Sequence, residues 1–175
     1  ISKINFVLNV NKYSPKIEKE FHEILIKNNM INRTYNSHLI EVNENTLNNV
    51  RKSYLKFIKK KSKDYSVKII KKNEYYEKLP FDYKKLHNED VGKETRSIRT
   101  YETQLKAIKN DKAFAVQVIS NDNKLVGMLI IYYENNAAYD GSVAVSSEYK
   151  EHYISHILKY YGILELISLK IKYYE

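Results

Sequence analysis

Cysteine is absent from this 175-residue chain, which excludes a disulfide, a thiolate zinc site and a cysteine nucleophile. Its 4 glycines and 2 prolines are too few for a sandwich of many tight turns or for a glycine-rich linker. No apolar run approaches the ~20 residues needed to span a bilayer. The Walker loop, GxGxxG, HExxH and GxSxG signatures are all missing, and no repeat recurs at solenoid spacing. Ile1-Ser2-Lys3 has no Met and no signal-peptide pattern, while Tyr173-Tyr174-Glu175 reads as the middle of a strand. Both ends therefore read as cut from a longer protein. The lack of cysteine suits a reducing, cytoplasmic setting.

What is present is enough apolar residue for a core, at 43%, and 29% charged residues that fall between the apolar segments. The net charge is +9 and the sequence pI about 9.4. Such a balance favours phosphate-rich partners or an anionic membrane surface. A Lys-, Asn-, Ile- and Tyr-rich composition from an AT-rich genome would give the same charge on purely solvated faces.

Hydrophobic spacing sets the order of elements. Residues 4–10 read as a strand. Ser14-Pro15 then opens a helix, because Ser caps orphan amides and Pro suits the first helical position. Ile17, Phe21, Ile24 and Leu25 form one apolar stripe on it. A second strand is expected over 38–42 and a second helix over 46–63. That helix turns Leu47, Val50, Tyr54, Phe57 and Ile58 inward and carries Lys52, Lys56, Lys59 and Lys63 as one basic stripe. A short strand over 65–70 precedes helices over 79–90 and 97–110. Phe81, Leu86 and Tyr83 should pack from the first, and Tyr101, Leu105 and Ile108 from the second. A meander follows: strands over 113–119, 125–133 and 137–145, joined by Asn-rich turns that tolerate left-handed backbone. The middle strand should be central, with Val126 and Ile130 on one face. A long helix over 151–170 and a last strand from about 171 complete an α+β chain with a mixed, largely antiparallel sheet flanked by helices.

Chemistry-bearing residues cluster in 87–104, where His87, Glu89, Asp90, Glu94, Arg96, Arg99 and Glu102 surround Gly92. Arg in a chain that prefers Lys points to a need for the planar, two-pronged guanidinium. Arg51 raises the same expectation at the start of the basic helix. Gly141 in a strand suggests a bulge or a close approach. His152 and His156 stand at metal-ligand spacing, but the residues between them offer no acidic third ligand, so no metal site is expected.

Three blocks in order carry a family resemblance. The first is Val50-Arg51-Lys52-Ser53-Tyr54-Leu55-Lys56-Phe57-Ile58. The second joins Leu86-His87 to Gly92-Lys93-Glu94-Thr95-Arg96-Ser97 and Thr100-Tyr101-Glu102-Thr103-Gln104. The third runs through Leu125-Val126-Gly127-Met128, Ala138-Tyr139-Asp140-Gly141-Ser142, Ser155-His156-Ile157-Leu158-Lys159-Tyr160 and Lys172-Tyr173-Tyr174-Glu175. Together they resemble the C-terminal acetyltransferase-like (GNAT-like) domain of the Fem family of non-ribosomal peptidyltransferases, in its FemAB-like, N-acyltransferase branch. The chain departs from that pattern at Lys170, where the family has Gly, at Tyr101 and Tyr160, where it has Trp, and at Asp140, where an aromatic or small residue is usual.

The resemblance implies a GNAT-like domain over 40–175, truncated at its C-terminal end. Residues 1–39 would then be the tail of a preceding GNAT-like domain or a strand–helix extension. It implies a cytoplasmic transferase for cell-wall biogenesis, which forms an amide on an amine of a peptidoglycan precursor or amino sugar. The donor would be aminoacyl-tRNA, with no resident cofactor. Arg51, Lys52 and Arg96 would hold anionic substrate groups, with Gly141 and His156 beside the substrate. His87 or Glu102 would orient or deprotonate the amine, and Tyr139 would line the acceptor pocket or donate a hydrogen bond. Ordinary acetyltransferases of this fold instead hold the CoA pyrophosphate on a glycine-bearing loop that leads into the helix after the meander. Here 145–152 has no glycine, and Glu148 and Glu151 would oppose a pyrophosphate. An acyl-CoA enzyme with a nonstandard site and a non-enzymatic basic nucleic-acid-binding domain are the alternatives. The latter lacks any recognised motif.

Overall fold

The computed structural model describes residues 39–175, together with residues 20, 23, 24, 26 and 27. The chain divides into two compact units, residues 1–37 and 38–175. In the first, the described residues are helical, within the stretch where the apolar stripe predicts a helix. The expected strand over 4–10, the Ser14-Pro15 helix start, and Ile17, Phe21 and Leu25 of the stripe lie outside the described residues.

The second unit holds one six-stranded sheet in the order β1-β6-β5-β4-β3-β2. The strands are β1 (Ile40–Glu41), β2 (Ser66–Ile70), β3 (Ala113–Ile119), β4 (Leu125–Glu134), β5 (Ala137–Val145) and β6 (Tyr173–Tyr174). The helices are α1 (Lys52–Lys61), α2 (Leu79–Val91), α3 (Ile98–Lys109) and α4 (Ile154–Ser168). All neighbours pair antiparallel except β5 and β6, which are joined through α4 and pair parallel. A parallel pair needs such a crossover, whereas the meander closes with tight turns. Asn123 and Asn135 take those turns with φ of 62° and 54°.

Side chains alternate across the sheet because strand residues point to opposite faces in turn. On one face Phe114, Val116, Val118, Leu129 and Ile131 pack with Ile154, Ile157, Leu158 and Leu166 of α4 and Ile58 of α1. On the other, Ala115, Met128, Ile130 and Ala144 pack with Leu79, Tyr83 and Leu86 of α2 and Tyr101, Leu105 and Ile108 of α3. Each large apolar side chain buried this way is worth about 1.5–3 kcal/mol, so the two half-cores define the unit.

Four expectations need correction. Val126 and Ile130 fall on opposite faces. The β3–β4 register slips between Val118 and Ile119, which pair with Gly127 and Leu125. Val126 is thus the extra residue of a bulge, and one extra residue reverses the alternation. The helix expected over 46–63 is broken into a 3-10 turn at Thr46–Asn49 and α1, with Val50 and Arg51 extended between them. Short polar side chains bond the backbone just ahead of the 3-10 turn: Thr46 Oγ1 accepts the Asn43 amide at 2.7 Å, and Asn43 Oδ1 accepts that of Asn45 at 2.8 Å. The last helix starts late, at Ile154, after a 3-10 turn over Ser147–His152 and a left-handed Tyr153 (φ 61°). Phe81 is 54% exposed, and Leu79 and Tyr83 take the inward positions of α2.

Candidate active site

The Gly92 break between α2 and α3 builds the candidate site. Gly92 ends α2 in left-handed backbone, φ 78°, and its amide returns to the Asn88 carbonyl at 2.8 Å. The chain then turns through Arg96 and Ser97 into α3. A cleft of about 510 Å³ opens at that helix start, lined by Arg96, Ser97, Arg99, Thr100, Thr103, Gln104 and Tyr132.

Tyr132 forms the strand-side wall. Its hydroxyl donates to the Gln104 carbonyl at 3.1 Å. Its ring stacks on Tyr139, directly across the β4–β5 ladder, at 5.3 Å and 24°. The ladder slips between Ile130, opposite Ser142, and Ile131, opposite Asp140, so Gly141 is left over as a bulge. A Cβ on Gly141 would stand 1.9 Å from Tyr132 Cε2. Glycine is therefore required there for space: the Tyr132 ring lies across the bulge. Tyr139 is 52% exposed and does not line the cleft.

Behind this wall lies a buried aromatic and imidazole cluster. Tyr83 is fully buried and donates to Ser142 Oγ at 2.5 Å. Burial pushes its phenol up to about 12. His87 is 9% exposed, shares a 3.1 Å hydrogen bond through Nδ1 with the Tyr101 hydroxyl, and meets the rings of Tyr83 and Tyr101 edge-on. Burial holds its imidazole below the ordinary value, the Arg96 charge adds to that, and Asp90 opposes it.

Arg96 and Arg99 make no ion pair among the described residues. Glu94, the nearest carboxylate in sequence to Arg96, pairs with Lys84 at 2.7 Å. Gln104 Oε1 is buried with no hydrogen-bond partner, an arrangement that costs about 1–3 kcal/mol unless a donor arrives.

The expected site residues therefore divide. His87, Arg96, Tyr139 and Gly141 belong to the α2/α3 side of the sheet. Glu102 is exposed on α3 and does not line the cleft. Arg51 and Lys52 are exposed at the start of α1, which packs with α4 on the opposite face. His156 is there too, hydrogen-bonded through Nδ1 to the Tyr54 hydroxyl, with the rings edge-on at 5.6 Å. His152 meets the Tyr65 hydroxyl at 3.1 Å instead. Among the described residues no group of three or more metal-ligating side chains gathers, and no helix is long and apolar enough to cross a membrane.

Sequence reasoning singled out Arg99 with Arg96 but passed over Tyr132 and Gln104. Tyr132 was within reach. The short turn at Asn135 and Asn136 pairs Glu134 with Ala137, so counting back two residues sets Tyr132 opposite Tyr139. It also passed over the role of Glu89 and Asp90. These end α2 and fasten the turn that leads into α4. Ser146, fully buried, donates to Glu89 at 2.5 Å, and the Val145 amide donates to Asp90 at 3.2 Å. Lys150 pairs with Asp90 at 3.0 Å, while Lys124 bridges Glu89 and Glu148 at 3.4 and 2.7 Å.

No protein-family model matches the chain, and no curated protein sequence matches it. Solved structures do. The ribosomal-protein-S18-alanine N-acetyltransferase from Escherichia coli superimposes with a TM-score of 0.50 at 14% identity, over 61% of this chain and 63% of its own. L-PGS from Bacillus licheniformis gives 0.55 at 10% identity, over 78% of this chain and 42% of its own. An aminoglycoside acetyltransferase from an uncultured soil metagenomic sample, in complex with sisomicin, gives 0.52 at 17% identity, over 63% and 74%. The chain spans under two thirds of the length of the first two. At these identities the likeness establishes the fold: a GNAT-like, largely antiparallel sheet flanked by helices.

Proposed function

We propose that the chain is the acetyltransferase-like part of a Fem-type enzyme that forms an amide on an amine of a cell-envelope precursor, with aminoacyl-tRNA as donor. The amine nitrogen attacks the aminoacyl ester carbonyl. A C–N bond forms, the ester C–O bond breaks, and the amine proton leaves with the ribose oxygen. The fold, shared with N-acetyltransferases, supports amide formation. The single observation behind the donor is the turn before α4. Where a CoA enzyme has a glycine-bearing loop, this turn has no glycine, its Ser146 amide is taken by the Val126 carbonyl, and its Ser146 hydroxyl and the Val145 amide just before it are engaged by Glu89 and Asp90.

The cleft beside α3 takes the acceptor. Two guanidinium groups there disfavour the ammonium form of an incoming amine, so the nucleophile reaches its reactive neutral form without a base in direct contact. His87, kept neutral by burial and Arg96, holds Tyr101 and keeps a second positive charge out of the wall. Tyr139 stacks on Tyr132, the ring at the cleft wall. Arg51 and Lys52 meet the donor's phosphates or the anionic surface of a membrane carrying the precursor.

An acyl-CoA reading has its own support in the N-acetyltransferase likeness. The two are separated by incubating the protein with an amine acceptor and either charged tRNA or acetyl-CoA, then weighing the product by mass spectrometry. An aminoacyl mass gained only with tRNA is expected. An acetyl mass gained with CoA moves the assignment to the second reading, and no product with either donor overturns both.

A further inference from the structure

We infer that the free edge of β2 is a docking strip for an extended acidic segment of a partner protein, which adds to the sheet as a further strand. This stands apart from the cleft at α3 and from the reaction assigned to it. β2 is the terminal strand of the sheet, so one of its sides has no neighbouring strand among the described residues. Nor does any backbone group of Ser66–Ile70 bond to backbone outside the sheet there. Such an edge offers its amides and carbonyls to an extended chain, and side chains decide which chain is accepted.

The register of β2 on β3 sets what those side chains ask for. Val67 and Ile69 stand opposite Val118 and Val116 and are half-buried against the α1/α4 core. An apolar residue set beside each covers what remains exposed. Lys68 stands opposite Gln117, on the other face, where Gln117 Nε2 meets Met128 Sδ at 3.9 Å. Lys68 is exposed and borders a groove of about 560 Å³. Gln117 and Tyr76 line it too, joined by a 3.0 Å hydrogen bond from Gln117 Nε2 to the tyrosine hydroxyl. Glu74, the one carboxylate of the lining, accepts the Lys71 amide at 3.1 Å. Lys68 makes no ion pair among the described residues, which leaves its charge for an incoming acid. Strand residues alternate between faces, so the matching segment reads apolar–acidic–apolar, whichever way it runs.

The same lysine disfavours a second copy as the occupant. In the antiparallel register that pairs all five residues of β2 with themselves, Lys68 faces the same lysine of the copy. Like charges directly opposite are destabilising. The net charge of +9 adds to that repulsion and draws in an acidic partner.

The test is fluorescence anisotropy of the 175-residue chain with labelled, capped nine-residue peptides. Their centre is Ile-Glu-Ile, Ile-Lys-Ile or Thr-Glu-Thr, between identical Ser-Thr-Ser flanks. A fourth peptide is the Ile-Glu-Ile form with alternate backbone amides N-methylated. The Ile-Glu-Ile peptide should bind about tenfold or more tighter than each of the others, since each lacks one matched element. Its binding should slow amide hydrogen exchange within 66–70. Lys68→Gln should level the preference between the glutamate and lysine peptides, and Lys68→Glu should reverse it, with melting temperatures confirming that both variants fold. Equal binding of the N-methylated peptide would show that no strand is added. An unchanged preference in Lys68→Glu would remove the charge match. A wild-type dimer in sedimentation equilibrium, with 66–70 already protected and no peptide bound, would give the edge to a second copy. Each of these three results overturns the inference.

Discussion

The two faces of the sheet bury the same kind of core and differ in how their polar groups end. On the α1/α4 face the polar residues at the rim close on one another. Asp140 accepts from both Lys159 and Tyr174, and His152 and His156 each meet a tyrosine hydroxyl. On the α2/α3 face Asn88 Oδ1 is buried without a partner, but other inner polar groups are paired as well, Tyr83 to Ser142, His87 to Tyr101, and Gln117 to Tyr76 at 3.0 Å. At the start of α3 this pairing stops. Two arginines line the cleft with no ion pair among the described residues, and the buried side-chain Oε1 of Gln104 has no hydrogen-bond partner. Unspent pairing capacity next to a preformed wall is what a binding site requires, and a face that satisfies itself is scaffold.

The largest effect should come from the scaffold face. Phe114 is fully buried against Ile131 and α4. Phe114→Ala removes a ring that the surrounding side chains cannot replace, at a cost of about 3–5 kcal/mol. Urea unfolding of the variant measures it. A loss below that of an exposed substitution would mean that this face is not the main core.

Next in size is the step that couples the faces to function. Gly141→Ala should cost about 1–3 kcal/mol, because the Tyr132 ring occupies the space of the new methyl. It should also break the Tyr132–Tyr139 stack, so acceptor binding falls further than stability does. A Tyr132→Leu change in the same chain frees that space and should recover the stability without the binding. Recovery of both would remove the stack from the site.

Much of this fold was legible in the sequence because period-2 and period-3.6 patterns report burial directly. Tyr101, Leu105 and Ile108 are all fully buried, and the meander strands fall where apolar runs bounded by Asn-rich turns set them. What alternation misses is a one-residue slip. The bulges at Val126 and Gly141 leave no trace in hydrophobicity, yet they decide which face a side chain joins. The extended backbone at Val50 and Arg51 interrupts a spacing that reads as one helix, and periodicity does not register it. Lys170 shows the converse. It takes left-handed backbone, φ 56°, the conformation glycine adopts without strain, at the position where the Fem pattern has glycine. For the site, residue chemistry pointed to the Arg96 segment, but it also drew in Arg51, Lys52 and His156, because a sequence does not say on which face of a sheet a helix lies.

A tenfold effect should separate Arg96 from the scaffold. Arg96→Lys keeps the charge and loses the planar fork. With no carboxylate to hold, Arg96 has no structural bond to lose, so the melting temperature should stay put. Activity or acceptor affinity should fall about tenfold, on the order of 1.4 kcal/mol. A drop in melting temperature with unchanged activity per folded molecule would return Arg96 to the scaffold.

His87 offers a smaller test, read in pH. Its folded value lies below 6.5, with burial first and Arg96 second. The unfolded chain therefore takes up the proton more readily. Above about 6.5 the imidazole is neutral in both states and folding loses nothing. As pH falls through 6.5, stability should decline, levelling off once pH is below the folded value. His87→Gln removes this component, so the difference between wild type and variant should narrow or reverse below pH 6.5. A difference that is flat from pH 8 to pH 5 would contradict the shift.

The smallest expected change in stability belongs to Arg51 and Lys52, and its sign is informative. Both cations stand at the N-terminal end of α1, which has no acidic residue in its first turn. A helix N-terminus favours negative charge by about 0.3–1 kcal/mol, so cations there are set against the helix dipole. Lys52→Glu with Arg51→Glu should therefore leave the melting temperature unchanged or raise it slightly. If these residues serve only as a solvated surface, nothing else changes. If they meet phosphates, binding to tRNA or to vesicles rich in anionic lipid should fall, steeply at low salt and less near 0.15 M, where screening acts over about 8 Å. Gel shift and vesicle sedimentation at two salt concentrations distinguish the two partners. A more stable protein that has lost salt-dependent binding would mean that α1 carries its cations for a partner, and unchanged binding would assign the whole stripe to composition.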